Sequence, residues 1–223
     1  MEHDGARWEP ARLAAQGGDD VAALVYRAYL LGGDARVSTW HGVVSAKAVA
    51  ADPLTGAPTP IMRISGAGLA LAELGRDNLV EFMLDRLQQL RARYVGRATA
   101  AYLIQAALRH CAFNRHHGQG PTTTLHHAAA PAAHVDELCG GAVMAIASCG
   151  DGAAIVEAIF AGRLGWLDRC HPGPELADRL GRAIADHPQW HGVIVGGHGL
   201  IGWGDTAEAC YRRSIVAIAA CER

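Results

Sequence analysis

His134-Val135-Asp136-Glu137-Leu138-Cys139-Gly140-Gly141 is a short, largely apolar run that stops abruptly in glycine, and Gly196-Gly197-His198-Gly199-Leu200 follows about sixty residues later. Apolar runs of this length ending in glycine predict buried strands that open into loops. Glu137 and Cys139 stand two apart, so on a strand both point to the same face. With His198 they offer a carboxylate, a potential thiolate and an imidazole: three protein ligands with a fourth position open, as in catalytic zinc sites. The plainer reading of the same residues is a solvated charge, a small buried thiol and a turn histidine. Spacing alone does not separate the two, because pairs this short recur in many sequences.

The chain has 223 residues, half of them hydrophobic and 19% charged. It is therefore long enough for one sizeable core, and it predicts a single domain over 1–223. A formal net charge of -2 gives no electrostatic footprint for nucleic acid or an anionic membrane. No apolar run approaches the roughly eighteen residues of a membrane span. Met1-Glu2-His3-Asp4 lacks the basic and apolar regions of a secretory signal. The six cysteines are accordingly read as reduced thiols of a cytoplasmic protein. Of the twelve histidines, five lie between 116 and 134.

Outward from the two glycine-ended runs, the pattern predicts alternating helices and strands. Asp19-Asp20 caps a first helix that closes at Gly32-Gly33. Arg36 to Ala48, broken at Gly42, and Pro60 to Ile64 form a hairpin across the turn residues Asp52-Pro53-Leu54-Thr55-Gly56. Leu79, Phe82, Met83, Leu87 and Leu90 recur at helical spacing. Further helices are predicted from about Ala98 to Cys111, from Thr122 towards Pro131, from Gly141 to Ser148, from Gly152 to Ala161 and from Pro174 to Ile184. Val193-Ile194-Val195 reads as a buried strand with Leu200-Ile201-Gly202-Trp203 pairing back on it. Asp205-Thr206-Ala207-Glu208 is a capping box for a last helix. The alternation points to a layered α/β domain.

Arg36-Val37, Ser45-Ala46-Lys47, Asp52 to Gly56, Arg76-Asp77-Asn78-Leu79, His134-Val135-Asp136, Pro172-Gly173, His198-Gly199-Leu200 and Trp203-Gly204-Asp205-Thr206 stand in an order and at distances that resemble the class II aldolase/adducin family. The nearest branch is similar to the aldolase domain of bifunctional rhamnulose-1-phosphate aldolase/alcohol dehydrogenases, and the likeness covers nearly the whole chain. It implies a three-layer α/β/α domain with a mixed, mainly antiparallel sheet, commonly in tetramers with sites between subunits. It also implies a small-molecule substrate and a divalent metal, zinc first and iron second, that polarises a hydroxy-ketone and stabilises the enediolate of carbon–carbon cleavage.

Carried over residue by residue, the resemblance departs where the chemistry sits. His198 keeps its identity as a ligand, while the other two ligand positions hold Glu137 and Cys139. The acid/base position falls on Thr123, which has no acidic proton at neutral pH. The phosphate turn reads Ser65-Gly66-Ala67-Gly68, and an asparagine loop is replaced by the segment containing Trp40 and His41. Replacement acid/base candidates are His116, His117, His126 and His127 around the old acid position, and His41. Two readings follow: a divergent lyase-type enzyme acting on an unphosphorylated hydroxy-carbonyl substrate through a rebuilt Glu/Cys/His metal site, or an inactive aldolase-fold protein used for binding. The first requires the three ligand types to converge with a histidine in reach. The second requires them to bond elsewhere, with Trp40 filling the pocket. Tyr211, Ile215 and Ile218 on the last helix would line either a subunit contact or the monomer core.

Overall fold

The structure is a computed structural model that describes residues 7–97, 101–114 and 118–223, with the backbone alone for residues 38–41. Among the described residues seven strands form one sheet: β1 Val37–Ala51, β2 Pro58–Ser65, β3 Leu79–Met83, β4 His134–Gly140, β5 Gly165–Leu167, β6 Gly192–Val195 and β7 Gly199–Gly204. Their spatial order is β3-β2-β1-β4-β7-β6-β5. Only the β5–β6 pair is parallel. Hairpin turns join β1 to β2 and β6 to β7, as antiparallel neighbours allow. The register of β1 against β4 shifts between Val37 and Gly42, the break that Gly42 marks in the sequence.

Helices cover both faces, which gives the three-layer α/β/α architecture. On one side, helices Asp20–Gly32, Gly141–Ala147, Gly152–Phe160 and Ala207–Cys221 bury Val44, Leu138, Ile194 and Leu200. On the other, helices Leu84–Tyr94, Ala101–Leu108, Thr124–Ala129 and Pro174–Asp186 cover Met62, Ile64, Val135, Val193 and Ile201. Tyr211, Ile215 and Ile218 are fully buried inside the monomer against the first group. Caps fix the helix starts: Asp19 accepts from the Ala22 amide at 2.6 Å and Thr206 from the Ala209 amide at 3.1 Å. The cap of the last helix is therefore Thr206 rather than Asp205. No helix among the described residues is long and apolar enough to cross a membrane.

One predicted helix is corrected. Leu79–Met83 is a strand, and the helix begins only at Leu84. Leu79, Phe82 and Met83 fit a helical stripe, but residues 79–83 also alternate. Pairing with β2, where Arg63 meets Glu81 at 2.8 Å, decides for the strand.

Strand β4 is the spine of the sheet, and its alternation sends adjacent residues into different layers. Asp136 faces helices Asp20–Gly32 and Ala207–Cys221, where its Oδ1 lies 3.0 Å from Arg27 Nε and its Oδ2 accepts from Ser214 Oγ at 2.9 Å. Both ionic side chains are fully buried. Glu137 faces the opposite layer.

Candidate active site

Glu137 is the centre of a buried polar cluster. Its Oε2 lies 3.0 Å from His126 Nδ1 and its Oε1 2.9 Å from His198 Nε2. His126 comes from the short helix Thr124–Ala129, and His198 from the tight turn between β6 and β7. The turn depends on Gly199, whose φ of +135° suits glycine alone and whose added Cβ would stand 2.7 Å from the Leu138 carbonyl oxygen. Gly199→Ala is expected to cost roughly 2–5 kcal/mol from strain and overpacking. Thermal denaturation followed by circular dichroism reads this as a clear drop in midpoint.

A third imidazole stands behind the first two. His127 is fully buried, shares a 2.8 Å hydrogen bond between its Nδ1 and Ser45 Oγ, and holds Nε2 3.7 Å from Glu137 Oε2. Burial pushes its pKa down to about 3, so the ring is neutral. Burial by itself would raise the Glu137 carboxyl, yet the His126 and His198 imidazoles hydrogen-bonded to its two oxygens hold it below the ordinary carboxylate range. Burial lowers His198, and the hydrogen bond and charge of Glu137 more than reverse this, so its pKa is raised. Of the three cluster members only His198 opens outward. It lines a cavity of about 420 Å³ with Arg169, Cys170, His171, Pro172 and Gly197.

His126 has a second partner. The Gly173 amide donates to its Nε2 at 2.9 Å. A neutral imidazole has one donor and one acceptor nitrogen, so Nδ1 carries the proton and donates to Glu137.

A family model described as the class II aldolase and adducin N-terminal domain matches residues 22–223. The chain belongs to this family. It is 30% identical over 97% of its length to the "Uncharacterized oxidoreductase YuxG" of Bacillus subtilis (strain 168), of which it spans 31%. Among solved structures, the N-terminal class II aldolase domain of a conserved protein from Thermoplasma acidophilum superposes with a TM-score of 0.87 at 20% identity, covering 100% of this chain and 98% of that one. L-fuculose-1-phosphate aldolase from Thermus thermophilus shares the fold with a TM-score of 0.56 at 14% identity, over 95% of this chain and 90% of that one.

Class II aldolases typically use a divalent metal, and here His126, Glu137 and His198 form a possible site, their donor atoms all within 4.8 Å of one another. Two imidazoles and a carboxylate are a ligand set that catalytic zinc accepts. A buried carboxylate also calls for a cation. Among the described residues no lysine or arginine pairs with Glu137. The residues fit a divalent ion at one cost. For His126 to offer its Nδ1 lone pair, the ring must carry its proton on Nε2, where the Gly173 amide now points. Releasing that bond costs about 1 kcal/mol, small against the roughly 10–16 kcal/mol of a structural zinc site. Zinc loading is therefore expected to speed hydrogen exchange at the Gly173 amide, measurable by exchange mass spectrometry on the loaded and metal-free protein.

Cys139, expected as a ligand, stands apart from these three side chains. Its Sγ donates to the His198 carbonyl oxygen at 3.2 Å and lies outside the cluster. Burial and the neighbouring Glu137 charge push the thiol up to about 11, so it stays protonated. Cys139→Ser, which keeps a donor to that carbonyl, is expected to bind as much metal as the parent by elemental mass spectrometry.

The turn expected to bind substrate, Ser65–Gly68, makes hydrogen bonds within the protein. Ser65 is buried and its Oγ accepts from the Val44 amide at 3.2 Å. The Gly66 amide donates to the Asn78 carbonyl and the Ala67 amide to the Gln119 carbonyl, at 3.1 and 2.9 Å. Both amides are spent, and the turn from Ser65 to Gly68 lines neither cavity beside His198. Thr123 precedes the helix Thr124–Ala129, with its hydroxyl buried and unpartnered, and His127 is fully buried and lines neither cavity. His116 and His117 lie outside the described residues, as do the side chains of Trp40 and His41.

His126 is the residue that sequence reading placed in a different role, as an acid/base candidate and not as a ligand. It sits eleven positions before Glu137, so no local spacing joins them. The adjacent histidine pair in a stretch otherwise rich in alanine was the available signal.

Proposed function

We propose that this chain is a divergent class II aldolase-like enzyme of carbon-acid chemistry, acting on an unphosphorylated hydroxy-carbonyl compound at the His126–Glu137–His198 cluster. The observation that carries this reading is the buried Glu137 carboxylate held between two imidazoles, one of which, His198, lines a cavity. A divalent ion held by the three side chains supplies Lewis-acid polarisation of a carbonyl group.

The chain's own residues set the conditions for that chemistry. Glu137 orients both rings through separate oxygens. Ser45 holds His127 behind it as a neutral wall. His198 faces the cavity and meets the substrate. The closed turn at Ser65–Gly68 supports a substrate without a phosphate at that place.

The bond from the Gly173 amide also favours a second reading without metal. In it His198 is the base that accepts a proton next to a carbonyl, held in place by Glu137 and through it by His126. Both readings are tested together. The full chain is incubated with zinc, its metal content is measured by elemental mass spectrometry, and proton NMR in D2O follows exchange of the C–H beside the carbonyl of hydroxypyruvate and dihydroxyacetone. Near one zinc per chain, with exchange that disappears in His198→Ala, supports the metal reading. Exchange without bound metal selects the relay, and absence of both overturns the enzyme assignment.

A further inference from the structure

A second cavity, of about 970 Å³, opens on the other side of the loop between β5 and helix Pro174–Asp186. Three guanidinium groups line its wall, those of Arg97, Arg169 and Arg179, with one carboxylate, Glu175. Glu175 is taken up by Arg179 at 3.0 Å. Among the described residues Arg97 and Arg169 have no carboxylate within ion-pair distance.

Arg169 also lines the smaller cavity that contains His198. Its stem packs on the turn next to that histidine, since a Cβ added at Gly197 would stand 3.3 Å from Arg169 Cδ and Nε. A molecule in contact with His198 therefore meets one unpaired guanidinium on the way to the larger cavity. Guanidinium groups recognise carboxylates and phosphates through paired hydrogen bonds. In the Ser65–Gly68 turn the Gly66 and Ala67 amides are already taken by the Asn78 and Gln119 carbonyls, whereas this guanidinium lies beside His198.

We propose that the substrate carries a carboxylate and that Arg169 binds it, which makes the ligand a hydroxy-carbonyl acid and Arg169 the specificity-determining residue. This rests on the proposed carbon-acid reading of the His198 site. Isothermal titration calorimetry of the full chain with hydroxypyruvate, dihydroxyacetone and dihydroxyacetone phosphate tests it, because the three share one hydroxy-ketone unit and differ in the appended group. Hydroxypyruvate is expected to bind at least tenfold tighter than dihydroxyacetone. That preference is lost in Arg169→Gln and partly restored in Arg169→Lys. Arg169 is exposed, so its variants are expected to keep the parent's thermal midpoint. Tighter binding of dihydroxyacetone phosphate than of hydroxypyruvate, or a preference that Arg169→Gln leaves intact, overturns the proposal. The two assignments fail separately. Arg169-dependent binding without proton exchange removes the reaction and leaves the acid site. Exchange of dihydroxyacetone with no preference for the acid removes the acid site alone.

Discussion

Asp136→Ala is expected to lower the thermal midpoint by on the order of 10 °C. The Arg27–Asp136 pair is fully buried at 3.0 Å, and removing one partner strands the other charge in the core. Such a change costs about 3–5 kcal/mol, and 1 kcal/mol moves the midpoint of a domain this size by roughly 2–4 °C. The Nε–Oδ1 contact is off the hydrogen-bond direction, so the pair is held by charge. Directional bonds come from around it: Asp136 Oδ2 accepts from Ser214 Oγ and Cys210 Sγ, and Arg27 Nη2 donates to the Ser45 carbonyl at 2.7 Å. The double variant Arg27→Met with Asp136→Leu, which removes both charges, should recover much of the loss. A midpoint for Asp136→Ala within about 2 °C of the parent would show that the pair is dispensable.

Glu137→Ala is expected to abolish metal binding while leaving the fold in place. The substitution deletes the anionic ligand and leaves His126 and His198 as neutral rings, one of them open to a cavity. Zinc occupancy should fall from near one per chain to about a tenth or less. In the parent, zinc at a hundred times its dissociation constant stabilises by about 2.7 kcal/mol, a shift of roughly 5–10 °C. In Glu137→Ala that shift should vanish. The metal competes with the proton for His198, whose pKa Glu137 raises above the ordinary 6.5 despite burial. Affinity in the parent is therefore weak below that raised pKa and is gained as pH rises through it. Zinc affinity that is flat with pH would show that His198 is not a ligand.

The sheet and its helices were legible in sequence because they follow from local rules. The short apolar run of β4 stops at Gly140-Gly141, and Asp19 marks a helix start that its side chain caps. Leu79–Met83 escaped because five residues satisfy strand and helix periods equally, and only the pairing with β2 separates them. The site was half legible. Glu137 and His198 could be placed together from the strand and the turn, but the structure brings His126 rather than Cys139 to them, for a reason no spacing carries. The partner of a buried carboxylate is chosen by which element packs over the strand, here the helix Thr124–Ala129. Likewise the Ser65–Gly68 turn keeps the glycines of a binding loop, while the carbonyls of Asn78 and Gln119 that close it arrive from elsewhere in the chain.

One peptide bond of β4 separates Asp136, locked into one layer beneath two helices, from Glu137, which faces the cavity layer. Abundance and function should therefore uncouple between neighbouring positions. In a mutational scan that scores cellular protein level and turnover in parallel, substitutions at 136 would deplete the protein, whereas those at 137 would leave it plentiful and silent.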